Sequence, residues 1–353
     1  MTGNTQQHIR HIRISPGRTL VATPVFDTYW RFACARQELF MRRIAGASPP
    51  WTDDPVLSAH RFTNAYRASD RVSQYLIRNV IYSGDQSVDE IFFRTLLFKL
   101  FNRIETWERL VARLGPITWR GFRFDQYAEI LDEALASGER IYSAAYIMPS
   151  PRFGDVRKHR NHLRLLQHMM RDQAAHRVAD SSSLEGVFKI LKGYPSLGDF
   201  LAFQFAIDLN YSSIINFSEM DFVVAGPGAR DGVRKCFVDT GGLTEAEIIR
   251  VVTDIAEHEF ARLGLAFRDL WGRSLHLIDC QNLFCEVDKY ARVAHPEAIG
   301  TSGRTRIKQR FTPRHMPLIQ WYPPKWGLQP PACNSHTGSL QTKKETKLQL
   351  RSK

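Results

Sequence analysis

The stretch Leu191-Lys192-Gly193-Tyr194-Pro195-Ser196-Leu197-Gly198-Asp199-Phe200-Leu201-Ala202 decides how this chain is read. A helical pattern of apolar residues ends at Leu191, Pro195 to Gly198 make a tight turn, and a second helical pattern opens at Asp199. Gly198 permits close approach of another backbone, and the free N–H groups at the new helix start can take a phosphate oxygen. Lys192, Gly193, Ser196 and Gly198 are therefore nucleic-acid-binding candidates, with Tyr194 as a surface for a base. The rival reading is an ordinary helix–turn–helix inside a bundle.

Downstream of this turn stands Glu219-Met220-Asp221, followed by the apolar run Phe222-Val223-Val224. That run predicts a short strand and puts Asp221 at a core edge. Partial desolvation there raises a carboxylate's pKa and its usefulness as base or electrostatic stabiliser. Asp221, with Glu219 as partner, is the catalytic candidate; its alternative is a helix N-cap. Gly226-Pro227-Gly228-Ala229 either offers backbone N–H groups from Gly226 and Gly228 to a phosphate or is a plain turn before a helix. Asn64, Arg67 and Arg71 contact DNA or form a polar network between helices. Tyr66, Gln281 and Asn282 are base-contact candidates, whereas Glu286 and Lys289 read as a structural pair at i, i+3.

Around this centre the pattern is helical. Helices are predicted from Asp27 (as N-cap) to Ile44, over 70–81, 89–101, 104–114, 124–136, 138–147 and 156–179, and over 183–191, 199–210 and 244–263. Thr244 and Glu247 have the spacing of a capping box. The fold expected is mainly α with few short strands. Three segments follow: a flexible basic start at 1–22, a helical body at 23–324 in one piece or two lobes flanking a cleft, and a disordered basic tail at 325–353.

The net charge of +12 suggests a polyanion, but much of it lies at the ends. The segment from Lys325 carries +5 and the first 18 residues +3, leaving +4 for the body. Two local clusters stand out: Arg152 to Arg171, including Arg157 and Lys158, and Arg304, Arg306, Lys308, Arg310 and Arg314. Both can neutralise phosphates or serve as solvated surface. With no apolar run near 20 residues and no secretory leader pattern, the expected location is cytoplasmic or DNA-associated. The five cysteines then read as thiols. Phosphate-loop, dinucleotide-binding, serine-hydrolase and zinc-protease motifs are missing, and no metal or cofactor is expected.

The turn resembles the Leu-Pro-Gly-Val-Gly hairpin of the helix-hairpin-helix DNA glycosylases. Pro195, Leu197 and Gly198 match, Ser196 stands where that family has Gly, and an acid follows at about the family's spacing. Bifunctional members carry a lysine two residues after the hairpin glycine; here Phe200 occupies that place, so lyase chemistry is not implied. A broader resemblance rests on Trp51-Thr52-Asp53-Asp54-Pro55, Arg61 to Arg71, Phe217 to Ala229 and Asp279 to Tyr290. From about Phe26 to Pro324 the chain resembles the helical domain of 5-hydroxymethyluracil DNA kinases and of alpha-glutamyl/putrescinyl thymine pyrophosphorylases. This implies a glycosylase-like helical fold in DNA thymine hypermodification. The activity implied is a transferase that displaces pyrophosphate from the modified base, with an amine or amino-acid co-substrate. Excision of a modified pyrimidine, and a non-catalytic DNA-binding partner of a separate DNA kinase, are the alternatives.

Overall fold

The computed structural model describes residues 9–313, 318 and 320–331. Two strands come first, β1 (Arg10–Ser15) and β2 (Arg18–Ala22), followed by α1 (Pro24–Ile44) and α2 (Pro55–Ala59). A 3-10 turn (Arg67–Ser69) leads into α3 (Arg71–Tyr75), which continues as a π-turn (Leu76–Ile81). Next come α4 (Val88–Phe101), α5 (Ile104–Leu114), α6 (Phe124–Ala136), α7 (Lys158–Arg171), α8 (Ala174–Ala179), α9 (Leu184–Lys192) and α10 (Asp199–Asn210). The chain then forms α11 (Pro227–Cys236), β3 (Phe237–Asp239), α12 (Glu245–Asp254), α13 (Ala256–Arg262) and α14 (Leu277–Ala294). A last 3-10 turn covers Pro324–Trp326. The protein is mainly α, as its sequence pattern requires.

Two helices are apolar nearly all round, which marks them as buried rather than amphipathic. Every residue of α4 from Glu90 to Phe101, and of α10 from Leu201 to Asn210, is buried. α4 packs on α5, α7, α8 and α10, and α9 packs on α10. A second group is built on α14, which packs on α1, α2, α11 and α12. The 3-10 turn at Arg67 also packs on α14, and a polar network runs from it into α10.

Several sequence expectations are corrected. Residues 10–22 form a hairpin rather than a flexible start: Ile12, Leu20 and Ala22 are buried, and β2 pairs antiparallel with both β1 and β3. The strand expected at Phe222–Val224 is irregular, its Phe222 ring packing on Phe188 and Phe203; the third strand is β3 instead. Thr23, not Asp27, caps α1. The helix expected over 138–147 is missing because tertiary partners take its backbone groups: Ser143 donates to the Phe101 carbonyl and Thr106 to that of Ile141. The long helix at 156–179 breaks at Gln173, whose φ is 54°. The one at 244–263 divides at Ile255, while its capping box forms as read. The tail expected from Lys325 is docked at its start, since the Lys325 ammonium donates to the Ser212 and Ile215 carbonyls. Residues beyond 331, expected to be disordered, lie outside the described residues.

Candidate functional site

The loop after α10 is held from three sides. The Asn210 amide clips it at Phe217, donating at 2.9 Å and accepting at 2.9 Å. Lys325 binds two of its carbonyls, and Arg250 binds those of Met220 and Asp221 at 2.7 and 3.0 Å. A turn from Ser218 to Asp221 then separates the two acids. Glu219 goes inward and is 4% exposed, whereas Asp221 is exposed. The expectation of a partly desolvated Asp221 is thus corrected: the turn reverses the chain before the apolar run can cover that carboxylate.

Glu219 enters a buried network of charges. Its Oε2 accepts from Arg273 Nη2 at 2.5 Å and lies 3.6 Å from His276 Nδ1, while Oε1 is buried with no hydrogen-bond partner among the described residues. Burial alone would raise this carboxyl, but His276, Arg273 and Arg67 outweigh it and hold it below the usual range. The Arg273 guanidinium rests 3.8 Å from the centroid of the Trp326 ring, a cation–π contact. Asp279, in the first turn of α14, accepts the Arg67 backbone N–H at 2.8 Å and that of His276 at 3.1 Å. Burial, then the charge of Glu219, pushes Asp279 up to about 6.

Arg67 joins this corner to the core. Its side chain donates to Gln204 at 3.0 Å and Tyr211 at 2.9 Å, and pairs with Asp208 at 2.8 Å. Asp208 also takes Lys99 at 3.0 Å. Over this pair sits Tyr146, its ring 4.8 Å from the Lys99 ammonium and stacked on Phe200 at 5.7 Å. Burial pushes Tyr146 up to about 12. Lys325 flanks the Glu219 corner and is lowered to about 8 by burial. Buried charges with perturbed protonation occur both at functional sites and in structural ion-pair networks.

The family that matches over residues 23–300 is described as 5-hmdU DNA kinase, helical domain. The chain belongs to this family. A 5-hmdU DNA kinase of Bacillus phage SP10 is 28% identical over 309 residues, covering 81% of this chain and 47% of that protein. The chain thus spans about half the length of that curated relative. No solved structure matches it. The region shared with the helical-domain family includes Arg67, Lys99, Gln204, Asp208, Glu219, Arg273, His276 and Asp279, but not Lys325 or Trp326. No helix among the described residues is long and apolar enough to cross a membrane. No group of three or more His, Cys, Asp or Glu among them could hold a metal ion. The four described cysteines are free.

Other residues singled out from sequence occupy varied places. Arg67 and Glu219 are in the network. Asn64 is buried, donating to the Ser69 carbonyl at 2.6 Å, and Asn282 donates to Thr63 and to the Asn64 carbonyl. Arg71 is exposed. The Tyr66 hydroxyl donates to the Arg273 carbonyl and that of Tyr194 to Asp172, both at 2.7 Å, so each ring is a packed support. Gln281 is buried near Gly226. A Cβ on Gly226 would meet the Phe200 ring at 2.6 Å, and one on Gly228 would meet Cys285, so both glycines serve close packing. On the hairpin, Lys192 pairs with Asp199 at 2.6 Å, Gly193 and Gly198 are exposed, and Ser196 adopts φ 65°. Arg157 pairs with Asp132 at 2.5 Å and Lys158 lies 4.5 Å from the Tyr142 ring; both line an open cavity of ≈ 450 Å³. Glu286 and Lys289 pair as expected, at 2.7 Å.

Sequence reading missed Asp208, Gln204, Lys99, Arg273 and His276. A signal for three of them was present. Gln204 and Asp208 stand four apart in the apolar run Phe203 to Leu209, and Lys99 interrupts Leu96 to Phe101. A charge inside an all-round apolar helix requires a buried partner.

Proposed function

We propose that this protein acts on a 5-hydroxymethyluracil-derived base in DNA, as a transferase of thymine hypermodification. An amine or amino-acid nitrogen attacks the exocyclic methylene carbon. The C–O bond breaks, pyrophosphate leaves with its electron pair, and the new ammonium loses a proton to solvent or a nearby carboxylate. The observation that carries this reading is the Glu219 carboxylate, buried beside Arg273 and His276, which hold it below the usual range, with one oxygen unpartnered among the described residues. Such a group stabilises positive charge developing at the methylene, an effect typically worth 10²–10³ in rate.

A base inside a duplex must be extruded to reach a buried acid, then stacked on an aromatic wall. The Tyr146–Phe200 pair is the wall favoured by this geometry. The exposed hairpin glycines, with Arg71, suit backbone contacts. Phosphorylation of the base is the work of a separate DNA kinase or domain, since these 353 residues contain no phosphate-loop motif.

Excision of the base is a second reading, favoured by one observation. Ser196 holds the left-handed conformation where the glycosylase hairpin carries glycine. The test is nucleoside mass spectrometry after incubating the protein with DNA carrying pyrophosphorylated hydroxymethyluracil and a panel of amines and amino acids. A mass shift on the intact nucleoside supports transfer; abasic sites support excision. DNA that returns unchanged leaves only a binding role and overturns both.

A further inference from the structure

The two basic clusters in the sequence meet different fates in the fold. In the first, Arg157 and Arg160 both pair with Asp132, Arg164 pairs with Asp155, and Lys158 lies on the Tyr142 ring. In the second, Arg304, Arg306, Lys308 and Arg310 are all exposed. None of their side chains has an ion pair or hydrogen bond to another described residue.

Arg304-Thr305-Arg306-Ile307-Lys308-Gln309-Arg310 places a cation at every second position. From Arg304 to Gln309 the backbone has neither helix nor turn, and it is pinned along its length. Ser302 donates to Asp231 at 3.2 Å, Arg292 to the Arg306 carbonyl at 3.2 Å, and Arg61 to the Gln309 carbonyl at 3.0 Å; Arg310 bridges antiparallel to His60. Ile307 is half-buried against the core. Residues two apart stand at most about 7 Å from each other along a chain, so the four cations form a closely spaced row on this anchored ribbon. That interval is on the order of the distance between neighbouring phosphates of a stretched strand, and a row of fixed cations is how a nucleic-acid backbone is tracked.

We propose that Arg304, Arg306, Lys308 and Arg310 form a track for the sugar–phosphate backbone of one DNA strand. This rests on the DNA reading above, and it adds to the hairpin contacts a ribbon outside the matched region 23–300, in place of α7. Held at Ser302, Arg306, Gln309 and Arg310, the ribbon presents its charges without first having to order a loop. Sequence selectivity is absent from such a contact, since phosphates are alike at every step.

The test is fluorescence anisotropy of the full chain with labelled single-stranded and duplex oligonucleotides across a salt series. The variant is Arg304→Ala/Arg306→Ala/Lys308→Ala/Arg310→Ala. Affinity at low salt is expected to fall at least tenfold, and the slope of log affinity against log salt to flatten by about 3, on the order of 0.7–0.9 per phosphate contact. Arg304→Lys/Arg306→Lys/Arg310→Lys should keep the slope, which a merely structural role for the arginines would not predict. The half-variants Arg304→Ala/Arg306→Ala and Lys308→Ala/Arg310→Ala should each remove about half of the change, and they serve if the quadruple variant fails to fold. An unchanged slope and affinity overturn the track while leaving the base chemistry, read separately by mass spectrometry, intact. A wild-type protein that binds neither oligonucleotide overturns both.

Discussion

Glu219 and Asp208 are both buried acids facing arginines, yet their surroundings differ. Asp208 is held between Arg67 and Lys99 in the core. Its loss leaves two buried cations without their acid, so Asp208→Asn should destabilise the protein by about 3–5 kcal/mol in urea titrations. Glu219 faces Arg273, which keeps the Trp326 ring and the His276 nitrogen as contacts when the charge is removed. Glu219→Gln should therefore destabilise by less than Asp208→Asn, measured the same way. That inequality is what separates a group kept for chemistry from one kept for structure. The neighbourhood of the acid was legible in sequence but the choice between Glu219 and Asp221 was not. The decision lies in the Ser218–Asp221 turn and in Arg273, more than 50 residues downstream.

At the scale of elements, the seam between α11 and α14 governs the site's rigidity. Gly232 lies against the Phe284 carbonyl of α14, and a methyl there would press on backbone that cannot rotate away. Gly232→Ala should separate the two helices and destabilise by about 3 kcal/mol, visible as a lower urea midpoint. Gly228→Ala meets the Cys285 side chain instead, which can change rotamer, so its effect should be smaller. Sequence reading put Gly226–Ala229 just ahead of a helix because Pro and Gly punctuate strongly, whereas α11 already takes in Pro227 to Ala229. It left the glycines between a phosphate site and a plain turn, and their packing role escaped because the partner helix is distant in the chain. Helix breaks at Gln173 and Ile255 escaped for a similar reason. Apolar periodicity continues through both, and the bends follow from what each half packs on. The central helices α4 and α10 were legible throughout, since their apolar character admits no other placement.

At the scale of the whole molecule, the buried histidine His162 sets a pH dependence. Its Nε2 faces the Pro149 carbonyl at 2.8 Å and its Nδ1 the Tyr142 hydroxyl at 2.6 Å. Burial lowers it from 6.5 to about 4. The folded state therefore binds fewer protons than the unfolded one between those values. The stability His162 contributes is fully present above pH 6.5 and is lost as pH falls towards 4, by up to about 3 kcal/mol. Asp279, raised to about 6, works in the opposite sense and favours the folded state at lower pH. Urea titrations at pH 7.5 and 5 should show the net loss, and His162→Gln should reduce it. The mainly α architecture and the family were legible from composition, periodicity and block motifs. The ionic network joining α4, α10 and α14 was not, because its members come from six separate stretches of chain. The role proposed for this network is to hold the Glu219 carboxylate against a modified base in DNA. The most direct measurement compares Glu219→Gln with Asp221→Asn in the nucleoside mass-spectrometry assay, with equal folding checked by thermal melting. Under that role, product falls by at least about 10² for Glu219→Gln and stays near wild-type for Asp221→Asn. Full activity in Glu219→Gln, or collapse only in Asp221→Asn, would contradict it.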